Sequence, residues 1–179
     1  MAEESKKERR SVKIEVLLLG FTAALVIAAI ATVYLHEPKQ AGREFAKMAL
    51  ERAQGGLLEE AAALLERAVQ KEPSNHLYHY NLGQTYLGLN RVPEAQTALY
   101  NALSLEPNDP QYCVEYARVL AIQKYIPESL TALKRGVLLG FCDMQRIIDD
   151  PDYDPVKLDP GWEEIHKLFV ERCKDDLKQ

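Results

Sequence analysis

The acidic residues near the C-terminal end of this 179-residue chain have the spacing of a cation-binding loop, but not its full pattern. Asp150, Asp152 and Asp154 alternate as they do at the start of an EF-hand calcium loop. An EF-hand then needs a glycine and, at its twelfth position, a glutamate, whereas this chain has Pro155 and Gly161. We therefore predict no calcium site here.

The histidines and cysteines also fail to complete a metal or nucleophile motif. His76 and His79 share a helical face, but no third ligand of suitable spacing follows them. Cys113, Cys142 and Cys173 are 29 and 31 residues apart, with no C-x-x-C pair. This spacing is typical of buried small hydrophobic residues. One pair could form a disulfide, and the spacing leaves that question open.

No catalytic motif is present elsewhere in the chain. The sequence has no P-loop, no G-x-G-x-x-G, no G-x-S-x-G and no H-E-x-x-H. A net charge of −5, from 22 basic and 27 acidic residues, argues against nucleic-acid binding. A hydrophobic content of 47% excludes a disordered acidic chain. We predict a protein that is not an enzyme, uses no cofactor and takes no small-molecule substrate.

The N-terminal part of the chain contains a long apolar segment. After a basic tip at 1–15, residues 16–35 hold no charged side chain, and such a helix is about 30 Å long. We predict a single transmembrane helix. Five lysines and arginines precede it and three follow it closely, which favours a cytoplasmic N-terminus. The rest of the chain would then be periplasmic in a bacterium, while in a eukaryote it could face the cytosol from an organelle membrane.

Two details of this segment suggest different roles for it. Gly20, Ala24, Ala28 and Thr32 recur every four residues and form a small-residue stripe that could pack against another membrane helix. Residues 29–31 could instead be the cleavage site of a signal peptide. The apolar run is longer than the usual signal-peptide core of about 7–15 residues, so we favour an uncleaved anchor.

A period of 34 residues follows a short linker at 36–41. It divides the chain into 42–75, 76–109 and 110–143. The markers of the middle unit are Leu82, Gly83, Tyr86, Ala95, Leu99, Ala102 and Pro107. These residues and their spacing resemble the tetratricopeptide repeat (TPR) family pattern L-G-x2-Y…A-x3-F…P. The resemblance implies an all-α solenoid of three helix-turn-helix repeats.

Within this period, particular residues fall where the hairpins turn. Gly56 and Asn90 lie at the turn between the two helices, where a residue that accepts a positive φ is favoured. Pro73 and Pro107 end the second helix of their units. The sequence thus predicts where each hairpin turns and stops.

Residues 144–179, here called the C-terminal segment, do not continue the period. The proline-rich run 149–155, followed by Pro160 and Trp162, resembles the closing motif of many TPR arrays. We predict a helix from Pro160 to about Cys173 whose apolar face covers the last repeat, because solenoids need such a cap for solubility.

The TPR resemblance also implies a binding groove, lined by the first helix of each repeat. The residues predicted to line this groove are Arg43, Leu50, Leu77, Tyr80, Asn81, Gln84, Leu87, Gln111, Val114, Glu115 and Arg118. Some family members hold chaperone C-terminal carboxylates through a Lys/Asn/Arg clamp, of which only Asn81 has a match here. The mixed apolar and polar set suits an extended or helical peptide segment.

The function predicted from the sequence is a non-enzymatic, membrane-tethered adaptor or scaffold. It would bind a membrane-associated protein partner in the groove and help to assemble a membrane complex. One alternative is an accessory subunit held mainly by its transmembrane helix. Another is an exported soluble TPR protein released by signal cleavage.

Overall fold

The chain divides into two units, residues 1–41 and residues 42–179. The computed structural model describes residues 20–30 and 40–174. In the first unit, residues 20–30 are helical and their side chains are exposed. Within the described ranges, no helix has both the length and the apolar character that crossing a bilayer requires.

Several predictions fall on residues that the structure does not describe. The basic tip 1–15 and most of the linker 36–41 lie outside the described residues. The predicted membrane segment 16–35 lies partly outside them, and so does Thr32 of its small-residue stripe. The stripe residues that the structure does describe are Gly20, Ala24 and Ala28.

Three helical hairpins, one for each 34-residue period, begin at residue 40, two residues before the second unit. The helices are α1 (residues 40–54), α2 (Leu58–Lys71), α3 (His76–Gly88), α4 (Val92–Leu105), α5 (Pro110–Ile122) and α6 (Ile126–Leu138). Each odd-numbered helix is the first of its hairpin and packs against the even-numbered helix that follows. For the described residues, this confirms the predicted all-α repeat fold.

The turn inside each hairpin repeats with the same period. Gly56, Asn90 and Lys124 have φ angles of 77°, 56° and 63°. This left-handed conformation ends the first helix and reverses the chain. The first two positions were predicted from their residue types. Lys124 adopts the same conformation although its Cβ makes it less favourable by about 1 kcal/mol.

The first helices of the second and third hairpins begin at matching cap residues. The side chain of Asn75 accepts a hydrogen bond from the backbone N–H of Leu77 at 3.1 Å. Asp109, 34 positions later, accepts one from the N–H of Gln111 at 2.8 Å. Such caps satisfy backbone donors that the first helical turn leaves unpaired. They fix where α3 and α5 start and therefore the register of their exposed faces.

Small residues allow the two helices of a hairpin to approach closely. A Cβ at Gly83 would lie 2.6 Å from Cγ of Leu99, which is fully buried. In the third hairpin, the buried Ser129 hydroxyl donates a hydrogen bond to the carbonyl of Ala117 at 2.7 Å. The marker positions of the repeat are thus the points where the helices cross.

The C-terminal segment continues the core beyond the third hairpin. It contains α7 (Met144–Asp149), a 3₁₀ turn (Pro151–Tyr153), α8 (Asp154–Lys157) and α9 (Gly161–Arg172). Helix α9 packs against α6, and its buried Ile165 and Phe169 join the core that contains Leu133 and Val137 of α6. The apolar face of the last hairpin is therefore covered by the chain itself.

A disulfide joins the two ends of this segment. Cys142 precedes α7, Cys173 follows α9, and their Cα atoms are 5.7 Å apart. The sequence favoured buried small hydrophobic residues and left a disulfide between one pair open, because a separation of 31 residues does not reveal that α7–α9 bring Cys142 and Cys173 together. The buried Cys113 is a free thiol.

Candidate functional site

The side chains predicted to line the groove differ in exposure. Leu50 of α1 and Leu77 of α3 are large apolar residues whose side chains are 60% and 51% exposed. Arg43 and Asn81 are also exposed. The half-buried members are Tyr80, Gln84, Leu87 and Gln111. The described part of α1 and the exposed face of α3 therefore present apolar and polar groups side by side.

An aromatic cluster joins α3 to α5. The rings of Tyr80 and Tyr112 are stacked, with centroids 4.9 Å apart and an interplanar angle of 28°. Nδ1 of His76 lies 2.7 Å from the Tyr112 hydroxyl, and the Gln84 amide donates to the Tyr80 hydroxyl at 3.2 Å. These contacts hold the two helices in a fixed relation, so the surface beside Tyr80 is preformed.

Both phenols of this cluster stay neutral at ordinary pH. Burial, and to a lesser extent the charge of Asp109, raises the pKa of Tyr112 to about 12. The pKa of Tyr80 is also raised, first by burial and then by the negative charge of Glu115. The two hydroxyl groups are therefore hydrogen-bonding groups and not anions.

A fully buried carboxylate lies next to the aromatic cluster. Glu115 has no exposed surface. Its Oε1 accepts a hydrogen bond from the Gln111 amide at 2.9 Å and forms an ion pair with Arg146 of α7. Its Oε2 faces Arg118 at 3.7 Å and has no hydrogen-bond partner among the described residues. Because a buried charge is costly without an opposite charge, these arginines compensate the charge of Glu115.

The C-terminal segment covers part of the predicted groove. Nε of Arg118 donates to Asp152 at 2.8 Å and lies 3.1 Å from Asp150. The buried Tyr153 hydroxyl donates to the carbonyl of Val114 at 2.7 Å. Arg118 and Tyr153 thus connect α5 to the C-terminal segment across this surface.

Three of the predicted groove residues therefore have partners within the chain. Val114 and Glu115 are buried, and Arg118 is held by Asp150 and Asp152. The sequence analysis placed these aspartates in the closing motif of the repeats and did not pair them with Arg118, although their charge opposite to that of Arg118 was a usable signal. The sequence analysis also missed Tyr112, which supports Tyr80 from one helix away.

A separate cavity of about 630 Å³ lies between α4, α5 and α6. Its wall includes Tyr100, Tyr116, Tyr125, Leu120 and Glu128, and none of the predicted groove residues. Sequence reasoning did not identify this site. In the described part of the chain, no group of three histidine, cysteine or carboxylate side chains is placed to hold a metal ion.

Comparisons with known proteins relate the repeats to one family. Residues 52–113 match the family model described as tetratricopeptide repeat. The chain is 31% identical over 125 residues to the cytochrome c-type biogenesis protein CycH of Pseudomonas aeruginosa, a match that covers 66% of this chain. It spans only 29% of the length of that relative.

Solved structures share the fold at low sequence identity. MamA superposes with a TM-score of 0.64 and 17% identity, over 86% of this chain and 90% of that one. The TPR2B domain of yeast Sti1, in its complex with pHsp70, gives a TM-score of 0.54 and 15% identity, over 76% and 98% of the two chains. The match to the tetratricopeptide repeat model covers residues 52–113, and the solved structures show the same helical-hairpin fold.

Proposed function

We propose that this protein is a membrane-tethered adaptor that binds a segment of a partner protein on the exposed faces of α1 and α3, and so helps to assemble a membrane complex. The observation that carries the proposal is the exposure of Leu50 and Leu77, two large apolar residues, together with the exposed Asn81 one helical turn after Leu77. Apolar contacts would supply affinity for the partner, and hydrogen bonds of the amide would fix the orientation of the bound segment.

The relatives support this role without fixing the partner. The matched relative is by name a protein of cytochrome c-type biogenesis. The Sti1 domain, which has the same fold, was solved in complex with pHsp70. We therefore propose that the partner is a protein segment, and that the complex being assembled is associated with a membrane.

The tether and the compartment are further parts of the proposal. Residues 16–35 would form the anchor, with the repeats on the far side of the membrane from the cytoplasm. The disulfide between Cys142 and Cys173 supports an oxidising compartment such as the periplasm, because cytosolic thiols are kept reduced. Tethering would raise the local concentration of the groove near membrane partners.

The groove is tested by affinity purification of the full-length protein from detergent-solubilised native membranes, with partners identified by mass spectrometry. The test variant is Leu50→Ser, Leu77→Ser and Asn81→Ala combined. The matched control is Leu105→Ser with Leu138→Ser, which alters apolar residues of 40% and 44% exposure on second helices. We expect the test variant to lose at least tenfold of the co-purified complex, and the control to retain it.

Retention of the complex by the test variant would contradict the adaptor proposal and favour the accessory subunit held by its transmembrane helix. The tether is tested separately, by alkaline extraction of membranes and sequencing of the mature N-terminus. An unprocessed chain that stays in the membrane fraction is expected. A mature chain that starts after Ala31 and is released would instead establish the exported soluble protein.

A further inference from the structure

Two cavities of the repeat domain occupy equivalent places in successive repeats. The smaller, about 280 Å³, lies beside α3 and α4, and the larger, about 630 Å³, beside α5 and α6. All eight residues that line the smaller cavity have counterparts, 34 positions later, in the wall of the larger. The chain thus contains one cavity twice, and the contacts beside the smaller cavity can be compared with those of the larger.

Beside the smaller cavity, an arginine of the chain stacks on a tyrosine of the cavity wall. The hydroxyl of Tyr86 donates to Glu66 at 2.6 Å. Cζ of Arg91 lies over the ring of Tyr86, 4.5 Å from its centroid. The same guanidinium forms an ion pair with Glu94 at 3.0 Å. A cation is therefore held between an aromatic face and a carboxylate.

In the larger cavity, the carboxylate remains but the cation does not. Glu128 is the counterpart of Glu94, whereas Tyr125 stands in place of Arg91 and Leu120 in place of Tyr86. Among the described residues, Glu128 has no ion pair or hydrogen bond through its carboxylate. The shorter Leu120 leaves the space open.

Aromatic rings flank the open space. Tyr100 and Tyr125 are 55% and 49% exposed, so their rings are accessible from outside the domain. The ring of Tyr116 lies 5.8 Å from that of Tyr100 at an angle of 50°. The larger cavity therefore combines an unpaired carboxylate with accessible tyrosine rings, which is a suitable environment for an organic cation.

We propose that the larger cavity binds an arginine side chain of a protein partner, which pairs with Glu128 as Arg91 pairs with Glu94 in the preceding repeat. A guanidinium suits the site better than an ammonium because it stacks on aromatic rings while donating to a carboxylate. This surface is separate from the proposed groove, so the inference does not rest on the proposed function.

The other charged side chain in the cavity wall leaves room for this cation. Arg135 lies seven residues beyond Glu128 on α6, two helical turns or about 10 Å away. Its Nη2 donates to the carbonyl of Pro107 at 2.6 Å, at the end of the preceding hairpin. The cavity is thus acidic at the Glu128 end and basic at the other, and the cation belongs at the acidic end.

The test uses the full-length protein in detergent micelles and two blocked peptides, acetyl-Ser-Leu-Arg-Leu-Ser-amide and the same peptide with citrulline in place of arginine. Binding is followed by the NMR shifts of the tyrosine ring signals and by calorimetry. We expect the arginine peptide to shift the signals of Tyr100, Tyr116 and Tyr125, and the neutral citrulline peptide to bind at least tenfold more weakly. Equal binding of both peptides would overturn the proposal.

Two variants place the binding in this cavity. Tyr125→Arg supplies the cation in cis and should abolish binding, while Glu128→Gln should weaken it at least fivefold. Tyr125→Phe, which keeps the ring, should bind like the original protein. Thermal unfolding identifies a variant that has lost its fold. Because Glu128 is exposed, Glu128→Gln is a conservative change that should leave the fold intact. Undiminished binding by a folded Tyr125→Arg or Glu128→Gln would refute the site, as would loss of binding in the groove variant of Leu50, Leu77 and Asn81.

Discussion

At the scale of single residues, Arg118 shows how much the helical period of a sequence can predict about one side chain. Its position on α5 predicted a groove residue, because the first helix of each repeat faces the groove in the family that the sequence resembles. The structure pairs it with Asp150 and Asp152 of the C-terminal segment and with Glu115 on its own helix. A helical period identifies the face of a residue but not what covers that face.

This pairing predicts a structural role for Arg118. Its replacement by glutamine would leave Asp150, Asp152 and the fully buried Glu115 with less compensating charge. Because an under-compensated buried charge is costly, we expect the free energy of unfolding to fall by about 2–3 kcal/mol. Urea denaturation followed by circular dichroism measures this change.

The control for Arg118→Gln is a change in a solvent-exposed ion pair. Lys134 and Glu164 pair at the surface with side chains 47% and 68% exposed, so Lys134→Ala should hardly change the unfolding midpoint. If Arg118→Gln were equally silent, the link between α5 and the C-terminal segment would not stabilise the fold, and Arg118 would again be available to a partner.

At the scale of elements, the 34-residue period was sufficient to predict the three hairpins. Small residues at the crossings and a proline or cap residue at the helix ends constrain each unit locally, so a single repeat could be interpreted from its own residues. The C-terminal segment has no such period, and prolines divide it into short pieces. Its packing depends on distant contacts, such as the one between Tyr153 and Val114, which local spacing does not reveal.

The hairpin turns give a prediction for an element. Lys124 has a φ of 63°, a conformation that glycine adopts without steric cost. Lys124→Gly should therefore raise the free energy of unfolding by about 0.5–1 kcal/mol, since relief of the Cβ clash exceeds the added freedom of the unfolded chain. Asn90→Gly is the matched control, with almost no gain because asparagine tolerates the same conformation. A loss of stability in Lys124→Gly would show that the lysine side chain contributes more than its backbone costs.

At the scale of the whole molecule, the described repeat domain is an array whose last hairpin depends on the segment that covers it. In such arrays each unit contacts only its neighbours, so an uncovered end exposes a full apolar face. Here that face, with Leu133 and Val137 at its centre, is covered by Ile165 and Phe169. The position of α9 is in turn constrained by the disulfide between Cys142 and Cys173. The redox state of one bond thus bears on the stability of the array end.

Reduction of this disulfide should therefore destabilise the repeat domain. The bond closes a loop of 31 residues, and opening it increases the entropy of the unfolded chain by an amount equivalent to about 3–4 kcal/mol. Urea unfolding with and without a phosphine reductant measures the difference.

Cys113→Ala should keep the full response, because Cys113 is buried, its pKa is raised by that burial, and it takes no part in the bond. The double change Cys142→Ser with Cys173→Ser should unfold at the reduced midpoint in both conditions. If reductant left the midpoint of the unaltered protein unchanged, the α6–α9 contact would hold the array end without help from the disulfide.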